Sequence, residues 1–462
     1  MKNALWRMLT VVPLCAGCAS SAGAEQPVGG PPGGEVVARW NATVLALAET
    51  EDRFLTLKGL RTAAMGHLAM HDALNHIEPR FETYLPTGGL PRMPGADPVA
   101  TVAQAGYAVA IDQYPDREET LRTLRDRWLA TVADEAARDA GVTLGNETAA
   151  AVLAVRKRDG WNREAEYSWH PMGPGVYAEF HEHSDTPEGF VFGAGWASAR
   201  PFLLETPEQF RSPPPPEIDS PEYAAAFAEV QEVGRHESRT RTADQAHLAM
   251  WWKDFAESSH NRLARALVAD DGLELWRTAR LFALLETALY DSYVSVFYNK
   301  FLYNHWRPFT AIRWADKDGN PDTGLDADWD NLHRHTYAFP SYPSAHGTAC
   351  AAAMTVLADT FGEESPLTME TREVDSAGPL SEKVPMAPPT RSFDSFAEAA
   401  MECALSRLYL GIHFRYDSVA GNRLGRLVGL YALATSLRPI PEAGSAATTV
   451  PSTRPGASRG TP

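Results

Sequence analysis

The chain has 462 residues, 44% of them apolar and 22% charged, with a formal net charge of −17. That length allows two or three domain-sized units or one large helical core. The acidic balance argues against a general nucleic-acid binder, because a phosphate backbone selects a basic surface. It also means that any cluster of cations inside this chain calls for its own explanation.

In chain order, residues 1–24 read as a signal peptide. Lys2 and Arg7 form the positive region, residues 8–16 a short apolar core, and Ala22-Gly23-Ala24 a small-x-small cleavage site. The apolar core is too short to span a bilayer. Cys15-Ala16-Gly17-Cys18 is close to a lipobox, but Cys15 stands where Leu is usual. Cleavage near Ala24 is therefore favoured over a lipoprotein attached at Cys18. The expected location is secreted or periplasmic, with no transmembrane anchor. After cleavage only Cys350 and Cys403 remain. They lack the CxxC spacing of a zinc site and read as small buried core residues.

Residues 25–34 form a Gly/Pro-rich linker. Residues 35–219 are an N-terminal helical region, with helices expected over 35–49, 56–77, 99–114, 117–140 and 146–158 from apolar periodicity. Asp116 and Asn146 are N-cap candidates for the last two. Residues 160–219, rich in Trp, Pro, Gly and His and closing on four prolines, are an irregular crossover. Loops this long are functional or packed across a neighbour. His181 and His183 within it are not taken as ligands.

Residues 220–438 form a C-terminal helical bundle carrying the active site, with helices over 221–234, 244–256, 260–270, 273–303, 344–362, 396–410 and 413–437. In the acidic loop 316–330, Asp316, Asp318, Asn320 and Asp322 alternate as in a calcium loop. Pro321 replaces the Gly such a loop needs, so a solvated acidic turn is preferred. Residues 439–462 are a disordered tail by composition. No stretch shows a strand pattern. The fold class is all-α: helical bundles joined by long irregular loops.

Three segments of the C-terminal bundle concentrate unusual polar residues. Lys300 and Arg307 are seven apart, nearly two helical turns, which predicts one shared helix face with Arg307 at the helix end before Pro308. Pro343-Ser344 ahead of an Ala-rich run predicts a helix start capped by Ser344, whose first-turn N–H groups suit an anion. His346 sits in that turn, where the helix dipole lowers its pKa and makes it a proton shuttle. His413 and Asp417, spaced i,i+4, predict a carboxylate–imidazole pair that fixes the histidine tautomer. Arg407 and His413 are six apart and reach one site only if the helix breaks between them, at Gly411. Each cluster alone has an ordinary reading as a surface or capping feature. Together they describe one anion pocket.

The joint pattern is Lys, six residues, Arg-Pro; then Pro-Ser-x-His; then Ser-Arg, five residues, His, three residues, Asp. It resembles the motif of the vanadium-dependent haloperoxidases and of the type 2 phosphatidic acid phosphatases that share their fold. Ala345 stands where that family usually has Gly, which puts the backbone geometry of this donor in question. Val37-Ala38-Arg39-Trp40-Asn41, His71-Asp72-Ala73-Leu74-Asn75, Thr206-Pro207-Glu208 and Arg307-Pro308-Phe309 extend the likeness over roughly residues 35 to 438. The lack of membrane spans points to the soluble bacterial-type branch.

The resemblance implies the bundle fold of the haloperoxidases and acid phosphatases, and a vanadate cofactor bound by His413. Lys300, Arg307, Ser344, Ala345 and Arg407 would hold its oxygens. His346, His413 and Asp417 would be the catalytic group. Hydrogen peroxide, halide and a small organic acceptor would be the reactants, giving a hypohalous-type species. Phe339 stands near the family's halide position, and His305 is a second candidate for that pocket. Asp254 and Asp291 are candidates to orient His346. The alternative is a soluble acid phosphatase, with phosphate as substrate and His413 as nucleophile. A non-catalytic secreted helical protein with a vestigial pocket is disfavoured, because such a pocket has no reason to retain three uncompensated cations.

Overall fold

Fourteen α-helices and four short strands make up the described residues of a computed structural model, which are 33–86, 90–379 and 381–441. The signal-peptide expectation, nearly all of the linker and almost all of the tail lie outside them. The all-α reading holds, and no helix among these residues is long and apolar enough to cross a membrane.

The N-terminal helices are α1 (Glu35–Asp52), α2 (Lys58–Ile77), α3 (Pro98–Gln113), α4 (Glu118–Leu129) and α5 (Glu135–Arg156). The expected break at 141–145 falls instead at 130–134. Asp134 supplies the cap, accepting from the Ala137 N–H, and Asn146 lies inside α5. Gly141 and Gly145 serve close packing: a Cβ on either would lie 2.8 Å from Asp97 O or 2.7 Å from Thr101 O at α3. Asp116 likewise sits in a single 3₁₀ turn and does not cap α4.

The crossover is irregular as expected, apart from the one-turn helix α6 (His181–Ser184) and a 3₁₀ turn. Beyond it come α7 (Pro221–Val233), α8 (Ala243–Trp251), α9 (Ala256–Asp270) and α10 (Leu275–Tyr303). The 29-residue α10 is buried on nearly every face, the signature of a central helix. It packs on α2 on one side and on α12 (Ala345–Phe361) on the other. Short α11 (Pro308–Arg313), then α13 (Phe396–Tyr409) and α14 (Arg415–Thr435), complete the bundle, with α12 wedged among α10, α13 and α14.

Residues 363–393 depart from the strand-free expectation. β1 (Leu367–Glu370) pairs antiparallel with β4 (Thr390–Phe393), and β2 (Glu373–Asp375) with β3 (Lys383–Pro385). Runs of three or four residues are too short for alternation to register as a pattern. The acidic loop is held by its own side chains. Asp318 accepts from the Asn320 N–H at 2.8 Å and from the Thr323 hydroxyl at 2.7 Å.

Cys350 and Cys403 are buried, as expected, but they are joined as a disulfide that links α12 to α13. Their separation of 53 residues carries no local signature of pairing.

Candidate anion-binding active site

The first segment converges differently from the expected shared helix face. α10 ends at Tyr303, Asn304 takes a left-handed conformation (φ 48°), and Arg307 lies beyond the helix in extended backbone (φ −86°, ψ 154°). Asn tolerates that conformation, and Pro308 disfavours a helical Arg307 while fitting the first position of α11. Lys300 therefore reaches the pocket from the end of α10, and Arg307 from the cap of α11.

Both cations are wholly buried and held by main-chain carbonyls. Lys300 Nζ donates to Pro340 O at 2.9 Å and Ser341 O at 2.7 Å. Arg307 donates from Nε to Phe339 O at 2.8 Å and from Nη1 to Ile412 O at 2.9 Å. Its Nη2 is buried with no hydrogen-bond partner. The Phe339 ring lies beneath both, 5.0 Å from Lys300 Nζ and 4.7 Å from the Arg307 guanidinium carbon.

The loop that supplies these carbonyls is pinned at its base by buried Asn331. Its side chain donates to His335 O at 2.7 Å and accepts from the His335 N–H at 3.0 Å. At the far end the Ser341 hydroxyl donates to Asp417 Oδ2 and lies 3.2 Å from His413 Nδ1.

α12 starts where expected. Ser344 is its N-cap, with Oγ accepting from the Gly347 N–H at 3.3 Å, and the Ser344 N–H donates to Asp417 O at 3.0 Å. The hydroxyl proton stays available to an anion. Ala345 is an ordinary first helical residue and is not among the positive-φ positions, so an L-residue fits without strain. The N–H groups of Ala345 and His346 belong to the first turn, which lacks intrahelical acceptors.

α13 ends at Tyr409, and Gly411 takes φ +83°, where its Cα packs on Gly234. This break turns the chain so that His413 and Arg407 serve one region. His413 stands just before α14, while Asp417 is in its first turn and accepts from the Phe414 N–H at 3.1 Å. His413 Nδ1 lies 2.9 Å from Asp417 Oδ2 and Nε2 lies 3.1 Å from Arg307 Nη1. An arginine N–H can only donate, so Nε2 carries the lone pair and Nδ1 the proton.

Burial is the largest electrostatic effect here. It pushes His413 well below its ordinary value, helped by Arg307, Lys300 and Arg407. It lowers Lys300 as well, with Arg307 adding to the effect, and brings Arg307 and Arg407 down to about 10. Asp417 is driven up by burial against the Ser341 hydrogen bond and the pull of Lys300 and Arg307. Three buried cations surround His413, two of them, Lys300 and Arg307, also acting on Asp417, and Arg307 Nη2 and His346 Nε2 are buried without a partner. A tetrahedral oxyanion such as vanadate or phosphate fits this donor set.

Burial pushes His346 well below its ordinary value, with Arg407 and His260 adding to the effect and a backbone contact at Trp252 opposing it. Neither carboxylate candidate orients it. Asp254 pairs with Arg262. Asp291 accepts from the N–H groups of Phe202, Leu203 and Leu204 and so pins the crossover. Three backbone donors satisfied that carboxylate, which its sequence position did not reveal. His305 is also placed differently from the halide-pocket expectation: its Nε2 lies 2.7 Å from Tyr416 Oη and its ring meets Tyr342, Phe414 and Tyr416. A cavity of about 900 Å³ opens beside Tyr342, Arg415 and Tyr416, but none of the three cations lines it.

Sequence reasoning missed Ser341, the Trp252 carbonyl and Lys253. The Lys253 ammonium is buried near Arg407 and donates to Ala377 O at 2.6 Å; burial and Arg407 lower it to about 7. The Pro-Ser pair that occurs at 340–341 and again at 343–344 was the one available signal for Ser341.

Comparison with known proteins agrees with this architecture. The family model of the VCPO second helical-bundle domain matches residues 280–441. Vanadium chloroperoxidase of Curvularia inaequalis is 29% identical over 175 residues, 31% of this chain and 28% of that protein, so the match spans under a third of the relative's length. The crystal structure of the first bacterial vanadium-dependent iodoperoxidase superposes with a TM-score of 0.69 at 21% identity, covering 91% of this chain and 100% of that one. A holo-type bacterial vanadium-dependent chloroperoxidase gives 0.61 at 16% identity, covering 88% and 93%. The matched bundle is the one that carries Lys300, Arg307, Ser344, Arg407 and His413, and over it the chain is similar to the vanadium haloperoxidases.

Proposed function

We propose that this protein is a vanadate-dependent haloperoxidase that uses hydrogen peroxide to oxidise halide to a hypohalous-type halogenating species. The observation that carries the reading is the pocket's charge: three buried cations, one carboxylate, and unpartnered Arg307 Nη2 and His346 Nε2. Lys300, Arg307 and Arg407, the Ser344 hydroxyl and the N–H groups of Ala345 and His346 would hold the oxygens of vanadate. His413 would bind the metal through Nε2. Bound vanadate supplies Lewis acidity toward peroxide without a required change of oxidation state.

This chain's own residues do the rest. Asp417 holds the proton on His413 Nδ1 and so leaves the lone pair on Nε2, where it accepts from Arg307 Nη1 until an anion takes that arginine's N–H, and Ser341 holds Asp417. His346 would take and return a proton at Nε2, which is buried in the pocket without a partner. Phe339 covers Lys300 and Arg307 and excludes water from their inner face, leaving an apolar wall for halide. The Cys350–Cys403 disulfide supports an exported protein, because such bonds persist in oxidising compartments.

The test is one purified protein assayed two ways. Peroxide-dependent halogenation of a phenolic dye should appear on adding orthovanadate and fall with competing phosphate. Strong phosphate-ester hydrolysis with no halogenation under vanadate would instead make it a phosphatase working through His413.

A further inference from the structure

We propose that the Cys350–Cys403 disulfide is a positioning element of the anion pocket, fixing the spacing between the helix start that carries Ser344, Ala345 and His346 and the helix end that carries Arg407. It rests on the reading of the pocket as an oxyanion site, and not on which oxyanion or reaction that site serves.

Cys350 lies one turn after His346 on α12, and Cys403 one turn before Arg407 on α13. The bond therefore joins the two helices a single turn from a pocket residue on each side. A ring nitrogen of His346 and both sulfurs lie within 4.8 Å of one another. His346 has no carboxylate partner of the kind His413 has. The pair of sulfurs is packed against its ring.

A second connection runs to Arg407. The Ser406 hydroxyl donates to Cys403 O at 2.6 Å and accepts from Arg407 Nε at 3.0 Å. A shift of Cys403 is thus passed through Ser406 to the guanidinium. The helices have little freedom to compensate in one direction, since a Cβ on Gly347 would lie 3.1 Å from Ala404 Cβ. Nothing but the disulfide resists their moving apart covalently. Small residues permit close approach, and the bond enforces it.

The test uses the full chain. Mass measurement after alkylation in denaturant, with and without prior reduction, should show one disulfide. Calorimetric titration with orthovanadate and with orthophosphate then compares wild type, the Cys350→Ala/Cys403→Ala double variant and Leu68→Ala, a buried α2 core change away from the pocket. The double variant should bind both anions about tenfold more weakly, the scale on which supporting partners act. Leu68→Ala should lose thermal stability and keep its affinity. If the double variant does not fold, wild-type protein reduced with excess dithiol, and freed of it before titration, takes its place. The dithiol gives two electrons and two protons to the sulfurs and becomes a cyclic disulfide. Affinity unchanged within twofold without the bond, or equally weakened in Leu68→Ala, overturns the positioning role. Binding of neither anion by wild type overturns the oxyanion reading as well.

Discussion

His413 and Asp417 meet at 2.9 Å although only one of them is helical: the imidazole precedes α14, and the carboxylate sits in its first turn, facing back. The aspartate does two jobs at once, capping the helix through the Phe414 N–H and fixing the tautomer of His413. Asp417→Asn should therefore weaken orthovanadate binding by about 10- to 100-fold while the fold persists. Ser341→Ala, which removes only the support behind Asp417, should have a smaller effect in the same direction. Titration calorimetry on both variants measures the order, and a larger loss in Ser341→Ala would contradict it.

Gly411→Ala should be strongly destabilising. A Cβ at this position would lie 2.3 Å from Gly234 O, on backbone at φ +83°. Left-handed backbone alone costs of order 1–3 kcal/mol for a residue other than glycine, and the clash adds to it. Chemical denaturation should show the loss, and anion affinity should fall with it, because the same turn brings His413 round to Arg407.

Anion binding should stabilise the folded protein. Wild type with orthophosphate or orthovanadate at a hundred times its Kd should gain about 2.7 kcal/mol. Arg407→Met should lose most of that gain, since Arg407 would hold the anion directly. Thermal melts across an anion series test this, and a Tm that does not move in wild type would count against the pocket as a whole.

His305 should make the protein acid-sensitive. Burial lowers it from 6.5 to about 3, so the unfolded chain takes up a proton below pH 6.5 that the folded chain refuses. Its contribution is therefore a loss of stability as pH falls below 6.5, amounting to roughly 3 kcal/mol by about pH 4.5. At pH 7, His305→Gln should be less stable than wild type, having weakened the contact with Tyr416. That gap should narrow by this amount at about pH 4.5 in urea titrations. A gap that holds constant would show that His305 is not kept neutral.

The helices and the polar clusters could be read from the chain because both leave marks in residue type: apolar periodicity for α10 and α12, and Lys, Arg, His and Ser at repeated spacings for the pocket. What could not be read is what backbone supplies. The carbonyls of Phe339, Pro340, Ser341 and Ile412 hold the two cations of the first segment, and any residue carries a carbonyl. The same reason hid the Trp252 contact to His346. Arg307 was expected to share a face of α10 with Lys300 by spacing alone, whereas the left-handed turn at Asn304 carries it beyond the helix to the cap of α11. The α4–α5 boundary was misplaced because glycines that pack helices together look like glycines that end them.

Ala345 carries a wider consequence. Its service to an anion would come from an amide at the beginning of a helix, and the methyl group takes no part. Selection on such a position acts on backbone shape, so its side chain is free to drift wherever neighbours leave room. Search patterns that insist on glycine between the serine and the histidine will pass over chains built like this one. A pattern that asks instead for a helix-starting serine, with histidine two places on, would retain them.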